Sequence, residues 1–408
     1  MKNWEKKKLS DLCDLITKGT TPTSIGYKFT DEGINFIKVE SLTESGEIIQ
    51  NKVAYIDEEC HKALKRSQLK VNDILFSIAG ALGRIGIVRH EIVPANTNQA
   101  LAIIRLKNDS NVLVNYLAKY FNSNLIAVEI EKLRGGAAQQ NLSLTQLNEL
   151  EIPIPPLPEQ QRIVAILDEV FASILKAKAN AEQNLKNAKE LFESYLQGVF
   201  ENPDNNWAKH KLGDVCGFVR GPFGGSLKKN IFKPDGYAVY EQQHAIYDQF
   251  DDLRYFIDEK KFNEMKRFEL NSGDLIMSCS GTMGKIAIVP ENIKKGIINQ
   301  ALLKLSPSKK VSNVFLKLWM QSESFQNSIK EYAGGAAIQN VASVAILKSI
   351  EIPLPDISDQ RNIVQKVHAF STETKKLEAI YNQKINDLEE LKKSVLQRAF
   401  SGELKTEK

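Results

Sequence analysis

The chain has 408 residues, which is long enough for two or more domains, and its 42% hydrophobic and 25% charged content is typical of a folded protein. No apolar run approaches the ~20 residues that cross a bilayer, and the polar, basic N-terminus lacks a signal-peptide core. We therefore expect a cytoplasmic protein with no membrane partner. The net charge of +4 does not by itself indicate a nucleic-acid partner, so a phosphate-binding surface would need local clusters of Lys and Arg.

The four cysteines lie far apart in the sequence and form no CxxC pair, which argues against a disulfide framework and against a zinc site. Cys13 and Cys216 stand in apolar surroundings. We predict that both are buried and act as small hydrophobic residues.

The most informative feature is an internal repeat of about 200 residues. Six blocks recur in the same order, and they are Trp4–Cys13 with Trp207–Cys216, Asn72–Val88 with Gly273–Val289, Asn98–Leu101 with Asn299–Leu302, Gly135–Asn141 with Gly334–Asn340, Glu151–Pro155 with Glu351–Pro355, and Leu196–Phe200 with Leu396–Phe400. Two copies are too few for a solenoid, so the pattern indicates tandem duplication of a domain and its tail. The segments between the blocks differ: Thr20–Lys70 bears little likeness to Pro222–Leu270.

Each copy reads as a mixed α+β globule followed by a long helix. In the first copy the β-rich runs are Ile74–Ile78, Ile85–Val88 and Leu101–Leu106. A helical stretch follows over Val112–Leu133, with Asn313–Tyr332 as its counterpart. A strand punctuated by prolines comes next, and Pro158 and Glu159 then suit a helix start, because proline fits the first turn and a carboxylate suits the positive end of the helix dipole.

The tails carry apolar residues at alternating spacings of three and four. The first stripe runs from Val164 to Val199; the second, from Ile363 to Arg398, is looser and includes Leu377, Lys384 and Leu391. Such stripes need a helical partner, and the other tail is the obvious one. The two helices would then form an antiparallel coiled coil with one globule at each end and an approximate two-fold axis. The alternative is that each helix packs on its own globule.

Motifs that carry catalysis are missing from the sequence. There is no GxxxxGK[ST] phosphate loop, no GxSxG elbow and no Asn-Pro-Pro-aromatic stretch, and the five histidines are not at metal-ligand spacing. Pro234-Asp235 followed by Glu241 lacks the later lysine of a nuclease site. The glycine-rich segment Gly221–Gly225 does not link a strand to a helix, so we interpret it as a turn or a DNA-facing loop. We expect no catalytic residues, no metal site and no enzyme activity in this chain.

The duplicated plan resembles the specificity (S) subunits of Type I restriction-modification enzymes. The loop Lys18–Pro22 and the Ser77-x-x-Gly80-x-x-Gly83 turn resemble them as well. The two most specific matches are the Ile-Pro-x-Pro-Pro-Leu-Pro-Glu-Gln run at Ile152–Gln160 and the terminal Phe-Ser-Gly-Glu-Leu at Phe400–Leu404. Copy two departs from the pattern, with Pro355–Gln360 reading Pro-Asp-Ile-Ser-Asp-Gln and with no Thr-Pro in its first loop.

The resemblance implies an α+β fold with two tandem target recognition domains separated by an antiparallel pair of long helices. The expected divisions are recognition domain 1 over 1–157, a central helix over 158–203, recognition domain 2 over 204–357 and a C-terminal helix over 358–408. Each domain would read one half of an asymmetric, bipartite site in double-stranded DNA, and the helices would set the spacer. Two methyltransferase (M) subunits with S-adenosylmethionine, and restriction (R) subunits with ATP and Mg, would be partners, with no cofactor in this chain.

Base reading needs Arg or Lys for guanine and Asn or Gln for adenine, and further cations for phosphates. The predicted DNA-contacting residues are, in copy one, Lys18, Thr20, Thr21, Ser77, Arg84, Arg134, Gln139 and Gln140, and in copy two, Arg220, Lys228, Lys229, Ser278, Lys285 and Gln339. Structural alternatives stay open for some of them. Ser143 and Gln146 fit a capping box, so the region of Gln140 could simply start a helix. The glycine pairs at 135–136 and 334–335 could be helix C-caps.

Two other functions are consistent with the residues. One is a self-contained DNA-modifying enzyme with an unrecognised site, which purified chain would reveal by binding S-adenosylmethionine or nicking DNA without partners. The other is a coiled-coil scaffold with two protein-binding heads, which would fail to bind DNA even with the methyltransferase present.

Overall fold

The computed structural model describes residues 4–43, 46–134, 141–201, 207–223, 225–331 and 343–404, without the side chains of Leu133, Arg134 and Glu331. Contacts between Cα atoms divide the chain into two compact units. Unit 1 comprises Met1–Glu182 with Gln383–Lys408, and unit 2 comprises Gln183–Asn382. Each unit therefore contains one globule and a half of each long helix.

Within its described residues, the first copy of the repeat contains nine strands and six helices. They are β1 (Glu5–Lys8), α1 (Leu9–Leu12), β2 (Cys13–Lys18), β3 (Ile34–Ile37), β4 (Ala54–Ile56), α2 (Glu58–Ala63), β5 (Ile74–Ser77), β6 (Ile85–Ile87), β7 (Ala95–Thr97), β8 (Leu101–Leu106), α3 (Val114–Phe121), α4 (Asn124–Arg134), α5 (Leu144–Asn148), β9 (Glu151–Ile154) and α6 (Leu157–Glu201).

The second copy repeats this order with one additional helix, α8. Its elements are β10 (Ala208–Lys211), α7 (Leu212–Val215), β11 (Cys216–Arg220), β12 (Tyr237–Tyr240), α8 (Gln242–Tyr247), β13 (Phe256–Ile257), α9 (Glu259–Glu264), β14 (Leu275–Ser278), β15 (Ile286–Ile288), β16 (Gly296–Ile298), β17 (Leu302–Pro307), α10 (Asn313–Gln321), α11 (Glu323–Glu331), α12 (Val344–Ser349), β18 (Glu351–Leu354) and α13 (Ile357–Phe400). Short 3₁₀ turns occupy Pro22–Ile25, Val39–Ser41, Gln50–Lys52, Lys65–Ser67, Lys229–Ile231 and Lys266–Phe268.

Both copies have the same three sheets. An antiparallel four-stranded sheet has the order β2-β8-β5-β6 in copy one and β11-β17-β14-β15 in copy two. A three-stranded sheet, β4-β3-β7 or β13-β12-β16, contains one parallel pair, and a two-stranded ribbon pairs β1 with β9 or β10 with β18. The inserts that share little sequence therefore share their strand pairing, which the sequence comparison did not reveal.

The four-stranded sheet is buried on both faces. In β5 the side chains of Ile74 and Phe76 face the core with the helices, whereas Leu75 faces the core with the three-stranded sheet. Leu275 and Ile276 alternate in the same way in β14. Because neighbouring residues of a strand point to opposite faces, two buried faces give the continuous apolar runs from which these strands were predicted.

The predicted helical stretch after the sheet is two helices in each copy. α3 ends before Ser123 and α10 before Ser322, and each serine hydroxyl donates a hydrogen bond to the carbonyl oxygen three residues earlier, at 2.6 Å in both. A serine that bonds to nearby backbone competes with helix continuation, and this breaks the stretch where no Pro or Gly marks it. Both serines are buried.

A buried glutamine fastens the start of each long helix. Gln160 is fully buried; its side-chain oxygen accepts from the Leu113 N–H at 2.9 Å, and its amide donates to the Asn111 and Pro155 carbonyls, each at 2.8 Å. Gln360 makes the equivalent three bonds, to Ser312, Lys310 and Pro355. The glutamine of the Pro-Glu-Gln run is thus a structural clamp, and copy two keeps it despite its different sequence.

In unit 1 the two long helices run antiparallel. Phe171 of α6 lies beneath Lys392 of α13, with 5.6 Å from Nζ to the ring centre, and Lys178 of α6 pairs with Glu389 at 2.5 Å. Residue numbers rise along α6 as they fall along α13, so the two helices are antiparallel, as predicted.

The alternative that each helix packs only on its own globule is wrong. In unit 1, Phe400 of α13 packs edge-on against Tyr116 and Tyr120 of α3, with ring centres 5.4 and 5.2 Å apart.

Unit 2 contains the matching contacts. Phe200 of α6 packs on Phe315 of α10 at 5.5 Å, and Tyr195 packs on Phe370 of α13 at 4.3 Å. The stripe predicted for α6 has no exposed member. The α13 stripe is partly wrong, because four of its members are exposed: Leu377, Lys384, Leu391 and Arg398. An α-helix turns every 3.6 residues, so a strict 3.5-residue spacing drifts off the contact face over a long helix.

All four cysteines are buried and free, which confirms the prediction for Cys13 and Cys216. Within the described ranges, no helix combines the length and the apolar character needed to span a membrane. Over the same residues no cluster of His, Cys, Asp and Glu is arranged to hold a metal ion.

Candidate DNA interface

Three backbone segments meet at one end of the four-stranded sheet in unit 1: the end of β2, the β5–β6 turn and the β7–β8 junction. The Gly19 N–H donates to the Leu101 carbonyl at 3.3 Å, and the Thr20 N–H donates to the Thr97 carbonyl at 3.1 Å. The Ile78 N–H donates to the Ala100 carbonyl at 2.9 Å. This loop edge, defined as residues 18–21, 77–84 and 97–100, brings together five predicted contact residues, Lys18, Thr20, Thr21, Ser77 and Arg84.

The loop edge of unit 2 comprises residues 220–223, 278–285 and 299–301 and keeps two of these three bonds, because Pro222, which matches Thr20, has no N–H to donate. Gly221 N–H donates to Leu302 O, and Cys279 N–H donates to Ala301 O, both at 2.9 Å. It brings together Arg220, Ser278 and Lys285 of the predicted set. The two loop edges therefore share a backbone arrangement, here called the platform, and differ in the side chains that it carries.

A close approach of two backbone segments explains the glycine that begins each first loop. A Cβ on Gly19 would lie 2.0 Å from the Thr97 oxygen, and one on Gly221 would lie 1.8 Å from the Asn299 oxygen. Any side chain at either position would push the loop away from the β7–β8 or β16–β17 junction. Glycine thus lets the first loop lie directly against this junction, and this contact determines where the following residues of the loop lie.

The two predicted serines are buried and hold their own turns. The Ser77 hydroxyl donates to the Ala81 carbonyl and accepts from the Arg84 N–H at 2.8 Å. The Ser278 hydroxyl donates to the Thr282 carbonyl at 2.6 Å and accepts from the Lys285 N–H at 3.0 Å. Both hydroxyls therefore make their hydrogen bonds within the protein. These bonds stabilise the turn that carries Arg84 in unit 1 or Lys285 in unit 2.

The predicted cations at the loop edges are accessible to different degrees. Lys18, Lys228, Lys229 and Lys285 are exposed, and Arg84 is half-buried. Arg220 is half-buried beside the Cys279 thiol; burial raises the pKa of that thiol to about 12, while the guanidinium acts in the opposite direction. A thiol with such a pKa stays protonated near neutrality and is not a nucleophile.

The side chain of Thr21 has a hydrogen-bond partner within the protein. Its hydroxyl hydrogen-bonds the side-chain oxygen of Gln99, so the first loop is coupled to the β7–β8 junction. In the sequence, Gln99 is recognisable only as a member of the repeated Asn-Gln-Ala-Leu block. The side chain of Arg134, and all of Gln139, Gln140 and Gln339, lie outside the described residues, as do the glycine pairs at 135–136 and 334–335.

The capping box is confirmed. The Ser143 hydroxyl accepts from the Gln146 N–H at 3.1 Å, and the Gln146 side-chain oxygen accepts from the Ser143 N–H at 2.9 Å. These residues start α5. The Leu142 N–H also donates to the Ile78 carbonyl at 2.9 Å, so the residue directly before this cap is tied to the loop edge.

Sequence reasoning did not single out Phe223, a residue of the glycine-rich segment of unit 2 whose side chain is 74% exposed. The repeat supplies a signal for it: aligning Gly19 with Gly221 sets Phe223 opposite Thr21. An exposed aromatic residue thus stands where the first copy has a bonded hydroxyl.

Two α+β copies, each with a conserved platform and different loop side chains, define a duplicated recognition protein. The family model of the type I restriction modification DNA specificity domain matches the chain twice, over 1–186 and 204–389. The chain therefore belongs to the type I restriction modification DNA specificity family. It is a specificity subunit and not an enzyme, and neither the modifying-enzyme nor the scaffold alternative has support.

Curated relatives span almost the whole chain. It is 24% identical to a putative type I restriction enzyme MjaX specificity subunit from Methanocaldococcus jannaschii, over 99% of this chain and 94% of that one. It is 25% identical to the EcoBI specificity subunit of Escherichia coli, over 76% and 70% of the two chains, and 21% identical to the EcoKI specificity subunit of Escherichia coli, over 96% and 89%.

Solved structures share the fold. A chain from a study of assembly and conformational transition in the type I restriction-modification system matches with a TM-score of 0.78 and 18% identity, over 99% of both chains. The HsdS subunit from Thermoanaerobacter tengcongensis matches with a TM-score of 0.63 and 18% identity, over 99% of this chain and 98% of that one. The predicted α+β class and its long-helix elements are confirmed.

Proposed function

We propose that each recognition domain reads one half of a bipartite, asymmetric site in double-stranded DNA. The observation that carries this proposal is the pair of loop edges, which share two backbone bonds at matching positions and differ in their side chains. A common platform places the readers at the same depth in each half-site. Different side chains then select different bases, because base edges are distinguished by the donor and acceptor pattern of the contacting groups.

The contacts in this proposal are those predicted from the sequence, including the residues outside the described ranges. Lys18, Lys228, Lys229 and Lys285 are exposed and make no ion pair within the described part of the chain, so they are free to bind phosphate. Thr20, Thr21, Arg84 and Arg220 border the same edges. Ser77 and Ser278 would act by shaping the turns, unless binding releases their hydroxyls.

The long helices would set the spacer between the half-sites and dock two methyltransferase subunits. The antiparallel contacts of unit 1 and the glutamine clamps at Gln160 and Gln360 support a fixed helix geometry. A stiff connection raises the effective concentration of the second half-site contact. We assign the domains as 1–157 and 204–357, with helical segments over 158–203 and 358–408.

The remaining chemistry would belong to partners. Methyltransferase subunits would carry S-adenosylmethionine, and restriction subunits would carry ATP and Mg, all in the cytoplasm. This division follows from the specificity family and from the sequence, which offers no reacting constellation.

The test is a binding experiment on the full chain with its methyltransferase subunit. Selection from a library of randomised duplexes should yield two short fixed sequences separated by a constant spacer. Substituting both Lys228 and Lys229 by alanine should weaken binding to all duplexes alike and lower the magnitude of the salt slope of log Kd by about 2, because phosphate contacts release counterions without reading bases.

Lys309 supplies a matched control. It is an exposed lysine of the same domain, with no ion pair in the described part of unit 2, and it follows β17 at the end opposite the loop edge. Lys309→Ala should leave affinity and salt slope unchanged. A selected library with no fixed bases would contradict the proposed function.

A further inference from the structure

Phe223 is the largest apolar side chain presented by either loop edge. It is 74% exposed, although the two residues before it, Gly221 and Pro222, are buried. Gly221 lies directly against Asn299, as the 1.8 Å approach of an added Cβ shows. Buried neighbours hold the backbone on its N-terminal side, so the aromatic ring projects from a fixed base.

The matching position of unit 1 has different chemistry. There the Thr21 hydroxyl is hydrogen-bonded to Gln99. Gln300, the repeat equivalent of Gln99, is exposed and makes no hydrogen bond to any described residue. Phenylalanine has no group with which to bind it, so both side chains remain available to a ligand.

The charge around Phe223 indicates what that ligand is. From Cys216 to Lys233 the sequence has four basic residues, Arg220, Lys228, Lys229 and Lys233, and no acidic one. The three lysines are exposed and form no ion pair with described residues. Lysine is depleted at protein–protein interfaces, whereas an aromatic residue among free cations is typical of surfaces that bind nucleic acid.

Tyr247 shows that exposure alone does not give this pattern. It is also 74% exposed and belongs to the same domain, at the end of α8. Its neighbours along the chain include Asp248, Asp251 and Asp252, which would repel phosphate. Of these two side chains, Phe223 alone is accompanied by exposed cations that form no ion pair with described residues.

We propose that Phe223 is a base-contacting, specificity-determining residue of the second recognition domain. Its ring lies against an apolar group on a base edge of the second half-site, such as a thymine methyl group, while Lys228 and Lys229 bind the flanking phosphates. The first domain reads the corresponding position through the polar pair Thr21 and Gln99. This inference rests on the proposed function and adds that the two half-sites are read by different chemistry.

The experiment uses the full chain with its methyltransferase subunit and the duplex selected from the randomised library. Affinity is measured for that duplex and for variants with one base pair changed at a time in either half-site. Phe223→Ala should weaken binding to the selected duplex on the order of 10-fold, since one specific contact to a base edge contributes roughly that much. It should also abolish discrimination at one or two adjacent base pairs of the second half-site while leaving discrimination in the first intact.

Two further variants make the result specific. Phe223→Leu keeps an apolar side chain and should retain part of the affinity, whereas Tyr247→Ala should behave like the unmodified chain. Because both rings are exposed, neither alanine variant should change the unfolding midpoint, so a binding loss would not reflect misfolding. If Phe223→Ala keeps full affinity and full discrimination while the Lys228 and Lys229 double variant is weakened, the inference fails and the proposed function stands. If the unmodified chain prefers no sequence, the proposed function itself fails.

Discussion

At the scale of single residues, the repeat separates structural side chains from candidate readers. Gln160 and Gln360 make the same three bonds in the two copies and are fully buried, so they maintain the framework. Thr21 and Phe223 occupy matching positions and have nothing in common chemically. Positions that agree between copies therefore support the platform, and positions that differ are where half-site specificity should be sought.

Replacing Gln160 with leucine should destabilise unit 1 by about 2–4 kcal/mol, because the Leu113 N–H and two carbonyls would lose buried partners. Urea unfolding checks the free energy, and hydrogen exchange at the Leu113 amide checks the site. Gln161→Leu is the control, since Gln161 is the next residue of α6 and is exposed. Equal unfolding midpoints for the two variants would refute the clamp.

Buried thiols give a prediction about pH. Burial raises the pKa of Cys13, Cys216 and Cys279 to about 12, so at pH 8 the native chain should react with a thiolate reagent such as dithionitrobenzoate roughly 10³-fold more slowly than the urea-unfolded chain. As pH rises from about 9 towards 12, the unfolded chain loses these protons while the native chain keeps them. The free energy of unfolding should therefore fall over that range. Rapid labelling of native protein at pH 8 would show that the thiols are not sequestered.

At the scale of elements, the sequence predicts best what local pattern determines. Strands such as β5 and β8 are apolar on both faces and short, and their runs are continuous in the sequence. The pairing of β3 with β7 could not be predicted, because it joins Asn35 to Ala95 across a long and divergent insert. The breaks at Ser123 and Ser322 depend on one hydroxyl each and leave no mark in the apolar periodicity.

In the candidate interface, too, the sequence predicted what recurs in both copies and did not predict individual side-chain contacts. The repeated blocks located the loop edges, since the β5–β6 turn and the Asn-Gln segments recur in both copies. The sequence did not reveal that Ser77 and Ser278 turn their hydroxyls inward, because this depends on the exact conformation of each turn. Nor did it reveal the bond between Thr21 and Gln99, because that bond joins two segments brought together by the pairing of β2 with β8. Phe223 was not singled out, because a single exposed apolar residue produces no periodic pattern in the sequence.

The terminal aromatic residues of the long helices, Phe200 and Phe400, are buried and should contribute strongly to stability. Phe400→Ala would leave a cavity beside Tyr116 and Tyr120 and should cost about 3–5 kcal/mol in unit 1. Thermal and urea unfolding measure the loss. Leu391→Ala, at a position of α13 that is 47% exposed, should change stability by less than about 0.5 kcal/mol. Similar losses in the two variants would place Phe400 outside the core.

At the scale of the whole molecule, each unit is completed by a segment from the other copy of the repeat. In unit 1 the last turns of α13 supply Leu396, Ala399 and Phe400 to the core, and in unit 2 the last turns of α6 supply Leu196 and Phe200. The two segments are equivalent in the repeat. We therefore expect that one can substitute for the other.

This equivalence predicts the behaviour of a fragment of residues 1–205. Lacking α13, it should dimerise, with Phe200 of each copy taking the place of Phe400 against Tyr116 of its partner. With the methyltransferase it should select a symmetric site built from two copies of the first half-site. Analytical ultracentrifugation and duplex selection provide the measurements, and Phe200→Ala in the fragment should weaken the dimer. A fragment that stays monomeric at high concentration would overturn this account of the tails.

The position of Phe400 also constrains the order of events during synthesis. The first globule is translated long before the helix turns that seal it, so the apolar surface around Tyr116 stays uncovered until translation is almost complete. A nascent chain in that condition is prone to bind a like chain on a neighbouring ribosome, whose α6 ends in the same Leu-Gln-x-x-Phe sequence. Elongation speed through the second copy would thus decide how many chains close on themselves and how many are lost to mispaired products.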